Sequence, residues 1–215
     1  MDKKVSSENL ERMLKQFKDI DYSSFGTENF GESSTRPPYQ RNYEEMAEVF
    51  QREFGVTRGD DSKPVLATYG LGPCVAMVGW SPKHKVGFLT HYDGLTELPG
   101  SFGSLLYRIS QQLEGEASEF DVRIVGGQTG QSEQIIDFLK ARLNMRKDIQ
   151  MKLTEEETGG YTSNRSIALD TRTGEVFSYD PKLNPHRREI TELDKMRIIS
   201  GFKSTANLAY APKRA

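Results

Sequence analysis

Apolar residues recur along this chain at two spacings, one typical of helices and one typical of strands. Positions three and four residues apart predict helices at residues 10–17, 43–54, 103–113, 132–143 and 193–201. Alternating or continuous apolar runs bounded by turn residues predict strands at residues 65–69, 74–80, 86–92, 120–125, 149–153, 165–170 and 175–179. Because helices and strands are mixed without strict alternation, the pattern favours an α+β fold, a layered sandwich of mixed β-sheet flanked by helices.

The same pattern divides the chain into three parts. Residues 1–62 are expected to form a helical N-terminal extension, with a linker rich in Ser, Gly, Asn and Pro at 21–41. Residues 63–180 contain all the predicted strands and are expected to form the main domain. Residues 181–215 are expected to form a tail with one helix.

Composition and charge narrow the classes of function. The 29 basic and 31 acidic residues are interspersed, whereas a nucleic-acid-binding face usually concentrates positive charge. No apolar run approaches the roughly 18 residues of a membrane-spanning helix, and no apolar stretch follows the first lysines as in a signal peptide. We therefore expect a cytoplasmic protein that neither inserts into membranes nor binds nucleic acid, and whose oligomeric state stays open.

The chain has one cysteine, Cys74, and this residue starts a predicted hairpin strand. His91 ends the partner strand, and the midpoint between the two falls in the predicted turn, so antiparallel pairing brings them opposite or nearly so. A thiol needs a base to become a nucleophile, and Thr68 on the preceding strand is placed to fix the histidine ring. Gly70 and Gly72 precede the cysteine and allow a sharp turn whose N–H groups, with that of Cys74, are expected to bind an oxyanion.

Each of these residues also has an interpretation without catalysis. A lone cysteine is often a small buried hydrophobe, and a histidine at a strand end is often only a polar residue. His84 lies in the predicted turn between two lysines and is expected to be solvated, and His186 is expected to be a loop residue. The Gly-rich turn that contains Gly127 either binds an anion or connects a strand to a helix along the cleft.

The residues around the hairpin resemble the CheD family of chemoreceptor glutamine deamidases. That family reads Thr, then Leu-Gly-Ser-Cys, a turn with proline, a glycine and the catalytic histidine, with the spacings found here. The matching stretches are residues 68–75, 81–87 and His91, followed downstream by 123–127, 158–160, 165–170 and 173–176. The resemblance covers about 65–179 and implies the CheD fold.

The resemblance implies that Cys74 is the nucleophile, His91 the base and Thr68 the residue that orients it. The expected reaction converts glutamine of a protein substrate to glutamate and ammonia, without a metal or an organic cofactor. The same core resembles deamidating toxins, namely the cytotoxic necrotizing factors and a Burkholderia lethal factor. Three alternatives stay open: an exported effector acting on a host protein, a non-catalytic binding module, and a transglutaminase or thiol hydrolase acting on other acyl groups. Pro73 departs from the small residue that the family has before cysteine.

Overall fold

The computed structural model describes residues 42–159, 165–199 and 201–212. The helix predicted at 10–17 and the linker at 21–41 lie outside these residues. Within them are three α-helices, α1 Leu98–Gln112, α2 Glu133–Arg142 and α3 Glu192–Ile199. The strands are β1 Met46–Glu48, β2 Glu53–Arg58, β3 Val65–Leu71, β4 Val75–Ser81, β5 Val86–His91, β6 Ser118–Gly126, β7 Ile149–Thr158, β8 Arg165–Asp170, β9 Glu175–Ser178 and β10 Asn207–Tyr210.

The strands form two mixed sheets that pack face to face. The larger sheet has the order β10-β2-β5-β4-β6-β7, and the smaller has the order β1-β3-β8-β9. Successive side chains of a strand point to opposite faces, so a central strand of the larger sheet contributes to two cores. On β4, Val75 and Met77 pack with the residues of α1 and α2, whereas Ala76 and Val78 pack against the smaller sheet. The predicted α+β layered sandwich is therefore confirmed.

The predicted hairpin is present as β4 and β5. Val78 pairs with Leu89 and Ser81 pairs with Val86, and the tight turn between them places Lys85 at a φ of 50°. The hairpin lies in the middle of the larger sheet, between β2 and β6. Residues at its open end are therefore held by neighbours on both sides.

The helix predicted at 43–54 is wrong. A single 3₁₀ turn, Tyr43–Glu45, is followed by β1 in the smaller sheet and β2 in the larger sheet. The apolar residues of this segment are buried on both faces, because the chain crosses here from the smaller sheet to the larger sheet. Burial on both faces removes the alternation that identifies a strand, and the chance spacing of Met46, Val49 and Phe50 then imitates a helical stripe.

The tail is also part of the sandwich. Its predicted helix is present as α3, and the chain then returns as β10, which pairs in parallel with β2. The larger sheet thus takes strands from all three predicted parts of the chain, so the divisions at 62 and 180 do not follow the sheets. None of the helices within the described ranges has the length and apolar character needed to cross a membrane.

Candidate active site

Cys74 and His91 lie on one face of the larger sheet, at the open end of the hairpin. Val75 forms an antiparallel bridge with Tyr92, so Cys74 stands opposite Asp93, and His91 lies two residues away from that position. Side chains two residues apart on a strand point to the same side. Both therefore face the smaller sheet, where Cys74 joins the apolar cluster between the sheets.

Thr68 fixes the histidine ring, and its hydrogen bonds determine which ring nitrogen carries the proton. The Thr68 hydroxyl donates to the carbonyl oxygen of Val49 at 2.7 Å and lies 2.8 Å from Nδ1 of His91. A hydroxyl has one proton, and a carbonyl oxygen only accepts. The bond to His91 must therefore run from Nδ1–H to the threonine oxygen, which leaves Nε2 with a free lone pair.

This Nε2 atom is buried and has no hydrogen-bond partner among the described residues. His91 is only 4% exposed and Cys74 only 7%. A buried polar atom without a partner costs free energy, so its presence in a native fold calls for an explanation. An imidazole lone pair kept unpaired on the same face as a thiol can accept the thiol proton.

Burial keeps both groups uncharged in the resting site. It raises the pKa of the Cys74 thiol to about 12, and the charge of Asp93 adds to the rise. It lowers the pKa of the His91 imidazole to about 4. At neutral pH the thiol and the imidazole on this face of the sheet are therefore both uncharged.

Of the three glycines predicted to bind the oxyanion or the substrate, two already use their N–H groups. Gly72 donates to the carbonyl oxygen of Gly70 at 2.9 Å, and Gly127 donates to that of Cys74 at 2.8 Å. Gly70 has a φ of 75°, and a side chain there would meet nothing within 4 Å, so its backbone faces open space. The N–H of Cys74 makes no hydrogen bond with any described residue, which leaves it available to a substrate.

Gly126 supports the cysteine from the neighbouring strand, and the sequence did not single it out. Its φ is 94°, and a Cβ at this position would lie 2.5 Å from the carbonyl oxygen of Cys74 and 3.0 Å from Cβ of Leu71. Only glycine fits so close to the backbone of Cys74. The one sequence signal was the pair of glycines at the end of a predicted strand.

A buried ion pair lies beside the cysteine and was missed by sequence reasoning. Arg52 is 1% exposed and donates from Nε to Asp93 at 2.7 Å. Burial alone would raise the pKa of Asp93, but hydrogen bonds from Arg52, Gln51 and Thr96 hold it below its ordinary value. The carboxylate opposite Cys74 is thus ionised and fully bonded, and it is not free to act as a base.

The tail borders the site through a segment that we call the C-terminal strap, residues 181–199. Arg187 lies over the ring of Tyr69, 4.9 Å from its centroid, and donates to its hydroxyl. Arg188 forms an ion pair with the buried carboxylate of Glu53 at 2.8 Å. The sequence could not indicate these contacts, because they join residues more than a hundred positions apart.

The other two histidines lie away from this centre. His84 is in the hairpin turn, 3.8 Å from Glu116, and His186 is in the strap, 3.5 Å from Glu44. Within the described ranges, no cluster of three or more His, Cys, Asp and Glu side chains is arranged to hold a metal ion.

Two deamidases are similar to this chain. It is 30% identical to the probable chemoreceptor glutamine deamidase CheD 1 of Syntrophus aciditrophicus over 135 residues, which cover 53% of this chain and 81% of that protein. It is 30% identical to the chemoreceptor glutamine deamidase CheD of Thermotoga maritima over 133 residues, which cover 53% of this chain and 80% of that protein.

An uncharacterized protein of Acanthamoeba polyphaga mimivirus is similar over a longer stretch. The identity is 25% over 179 residues, which cover 71% of this chain and 66% of that protein. No protein-family model matches the chain. The similarity to the two deamidases, each covered over most of its own length, shows that this chain belongs to the CheD family.

Proposed function

We propose that this chain is a cysteine-dependent protein-glutamine deamidase. Cys74 is the nucleophile, His91 the general base and acid, and Thr68 the residue that orients the imidazole. The observation that carries the proposal is the unpaired Nε2 of His91, whose lone pair follows from the two hydrogen bonds of Thr68. The similarity to proteins named as glutamine deamidases supports the same chemistry.

The first half of the reaction forms a thioester. Sγ of Cys74 attacks the side-chain carbonyl carbon of glutamine while Nε2 of His91 takes the thiol proton. The carbonyl oxygen becomes negative and accepts a hydrogen bond from the N–H of Cys74. The carbon–nitrogen bond then breaks, and the proton on Nε2 passes to the leaving nitrogen, which departs as ammonia.

The second half restores the enzyme. His91 takes a proton from water, whose oxygen attacks the thioester carbon, and the same N–H of Cys74 stabilises the new oxyanion. The carbon–sulfur bond breaks, the sulfur recovers the proton from Nε2, and glutamate is released. The sum is glutamine plus water giving glutamate plus ammonia.

Burial of the pair is compatible with this cycle. A permanent thiolate and imidazolium would each lose hydration in the space between the sheets, which the shifts of both pKa values express. Proton transfer at the moment of attack keeps the site neutral until the substrate carbonyl takes the charge.

The substrate in this proposal is a glutamine side chain on another protein, in the cytoplasm. Chemoreceptors are the first candidates, because the two similar deamidases are named for them. A host protein reached after export is the alternative target, and it changes the test substrate without changing the chemistry. A non-catalytic binding module on the same fold is the competing hypothesis.

The proposal is tested by mass spectrometry of a purified chemoreceptor after incubation with the enzyme. We expect the mass change of amide-to-acid conversion at defined glutamines with wild type. Cys74→Ser should give none, and His91→Asn should lower the rate by about 100- to 10,000-fold, as expected for loss of a general base. His84→Asn, which removes a histidine from the turn at the other end of the hairpin, should retain full activity.

Equal conversion by wild type and Cys74→Ser would contradict the proposal. If wild type converts no receptor, the same assay on host-cell proteins with wild type and Cys74→Ser decides between the two target classes. A wild type that binds one of these proteins tightly and deamidates none of them would establish the binding module instead.

A further inference from the structure

We propose that Ser132 positions the oxyanion donor, by holding the peptide between Pro73 and Cys74 in the orientation that aims the Cys74 N–H at the substrate. The inference rests on the proposed function and adds a residue that neither the sequence motif nor the glycine turn identified. Ser132 is the N-cap of α2 and is fully buried, yet its hydroxyl is not used to cap the helix.

The hydroxyl of Ser132 connects two loops of the site. It donates to the carbonyl oxygen of Pro73 at 2.7 Å and accepts a hydrogen bond from the N–H of Gln128 at 2.9 Å. The serine proton is thus committed to the carbonyl that immediately precedes the nucleophile. This hydrogen bond is partly buried, and as long as it is kept it fixes the direction in which the Pro73 carbonyl points.

Fixing this carbonyl also fixes the N–H of Cys74. The described residues contain no cis peptide bond, and in a trans peptide the C=O and N–H point in opposite directions. With the Pro73 oxygen held toward Ser132, the Cys74 N–H must point away from α2. That N–H is the one that makes no hydrogen bond with any described residue.

The next peptide is held from the same side. Gly127 donates to the carbonyl oxygen of Cys74 at 2.8 Å, and a side chain at Gly126 would collide with that oxygen. The segment from Gly126 to Ser132 therefore binds the carbonyls on both sides of the nucleophile. Without the serine hydroxyl, only one of these two peptides stays fixed, and rotation of the other would turn its carbonyl oxygen toward the substrate in place of the N–H.

Two reagents that react with the same sulfur separate this role from a merely structural one. Iodoacetamide alkylates a thiol by direct displacement and forms no oxyanion, whereas p-nitrophenyl acetate acylates it through a tetrahedral oxyanion. Cys74 is the one cysteine of the chain, so both reactions are assigned by peptide mass spectrometry. Neither reagent requires knowledge of the protein substrate.

We expect Ser132→Ala to acylate about 100-fold more slowly, the usual effect of losing one oxyanion donor, with an unchanged rate of alkylation. Ser132→Thr, which keeps the hydroxyl, should recover most of the acylation rate. Ser101→Ala is the matched control: Ser101 is equally buried, donates to the Glu97 carbonyl and accepts from the Ala206 N–H, but lies on α1. This control should lose stability and keep both rates.

The outcomes separate this inference from the proposed function. If wild type is not acylated at Cys74 above the background of Cys74→Ser, the deamidase proposal itself fails. If wild type is acylated and Ser132→Ala keeps its acylation rate, Ser132 is not a positioning residue. Equal losses of acylation and alkylation in Ser132→Ala, or a Ser132→Thr that folds normally and stays as slow as Ser132→Ala, would overturn the inference as well.

Discussion

Two buried polar clusters lie side by side at the open end of the β4–β5 hairpin, and they are satisfied to different degrees. In the first, all three nitrogens of the Arg52 guanidinium donate hydrogen bonds, one of them to Asp93 and the others to carbonyl oxygens of the tail. In the second, Nδ1 of His91 is bonded to Thr68 while Nε2 has no partner among the described residues.

The two clusters are therefore expected to have different roles, one in stability and the other in catalysis. Removing either partner of a fully bonded buried ion pair costs several kcal/mol of unfolding free energy, because it leaves a buried charge without compensation. A buried nitrogen with an unused lone pair weakens the fold slightly, but it can accept a proton. The arginine cluster is expected to hold the tail onto the sheet, and the histidine is expected to carry the reaction.

The largest effect on stability should come from Arg52→Met. The substitution leaves the Asp93 carboxylate without its cation and several tail carbonyls without donors, and we expect a loss of about 3–5 kcal/mol of unfolding free energy. Arg58→Met is the comparison at the other end of β2, the strand that begins directly after Arg52. Its partner Asp60 is exposed, so the Arg58–Asp60 pair is worth about 1 kcal/mol or less. Urea unfolding measures the loss of unfolding free energy in each variant. Equal small losses would show that the Arg52 cluster does not hold the tail onto the sheet.

A smaller effect should appear in the pH dependence of stability. In the unfolded chain His91 binds a proton near its ordinary pKa of 6.5, whereas in the folded protein burial lowers that pKa to about 4. Between these values the unfolded state binds more protons, so stability falls as pH falls through this window, by up to about 3 kcal/mol from this residue.

The reference for this pH effect is His91→Asn. Wild type should lose unfolding free energy more steeply than the variant between pH 6.5 and pH 4, and the two curves should run parallel above pH 7. Parallel curves throughout the acid range would show that the His91 pKa is not depressed by burial.

The local parts of this molecule could be predicted from the sequence. The hairpin from Val75 to His91 is determined by its own apolar run and turn, and its pairing places Cys74 and His91 two positions apart in register. The contact of Thr68 with the ring followed from its place on the preceding strand and from the resemblance. Segments buried on both faces could not be predicted in the same way, because a run such as residues 46–58 loses the alternation that identifies strands.

Contacts between residues far apart in the sequence could not be predicted from local sequence patterns. The bonds of Arg52 to the tail depend on how α3 returns to the sheet, and nothing near Arg52 in the sequence indicates it. The oxyanion donors show the same limit in the backbone. The glycines before Cys74 predicted Gly72 as an oxyanion donor, and the Gly-rich turn offered Gly127 as a possible anion contact. The direction of an N–H depends on its acceptor, however, and both N–H groups donate to carbonyls of the protein.

The position of the proton on the neutral ring of His91 decides whether this histidine can act as a base. Nitrogen-15 NMR of histidine-labelled protein at pH 7, assigned with His91→Asn, should show a neutral ring with the proton on Nδ1. Thr68→Val should lose this preference, while Thr90→Val, a buried threonine whose hydroxyl instead accepts from the N–H of Met77, should keep it. A wild-type ring with the proton on Nε2, or with both nitrogens protonated, would contradict the account, because no lone pair would be left to accept the thiol proton.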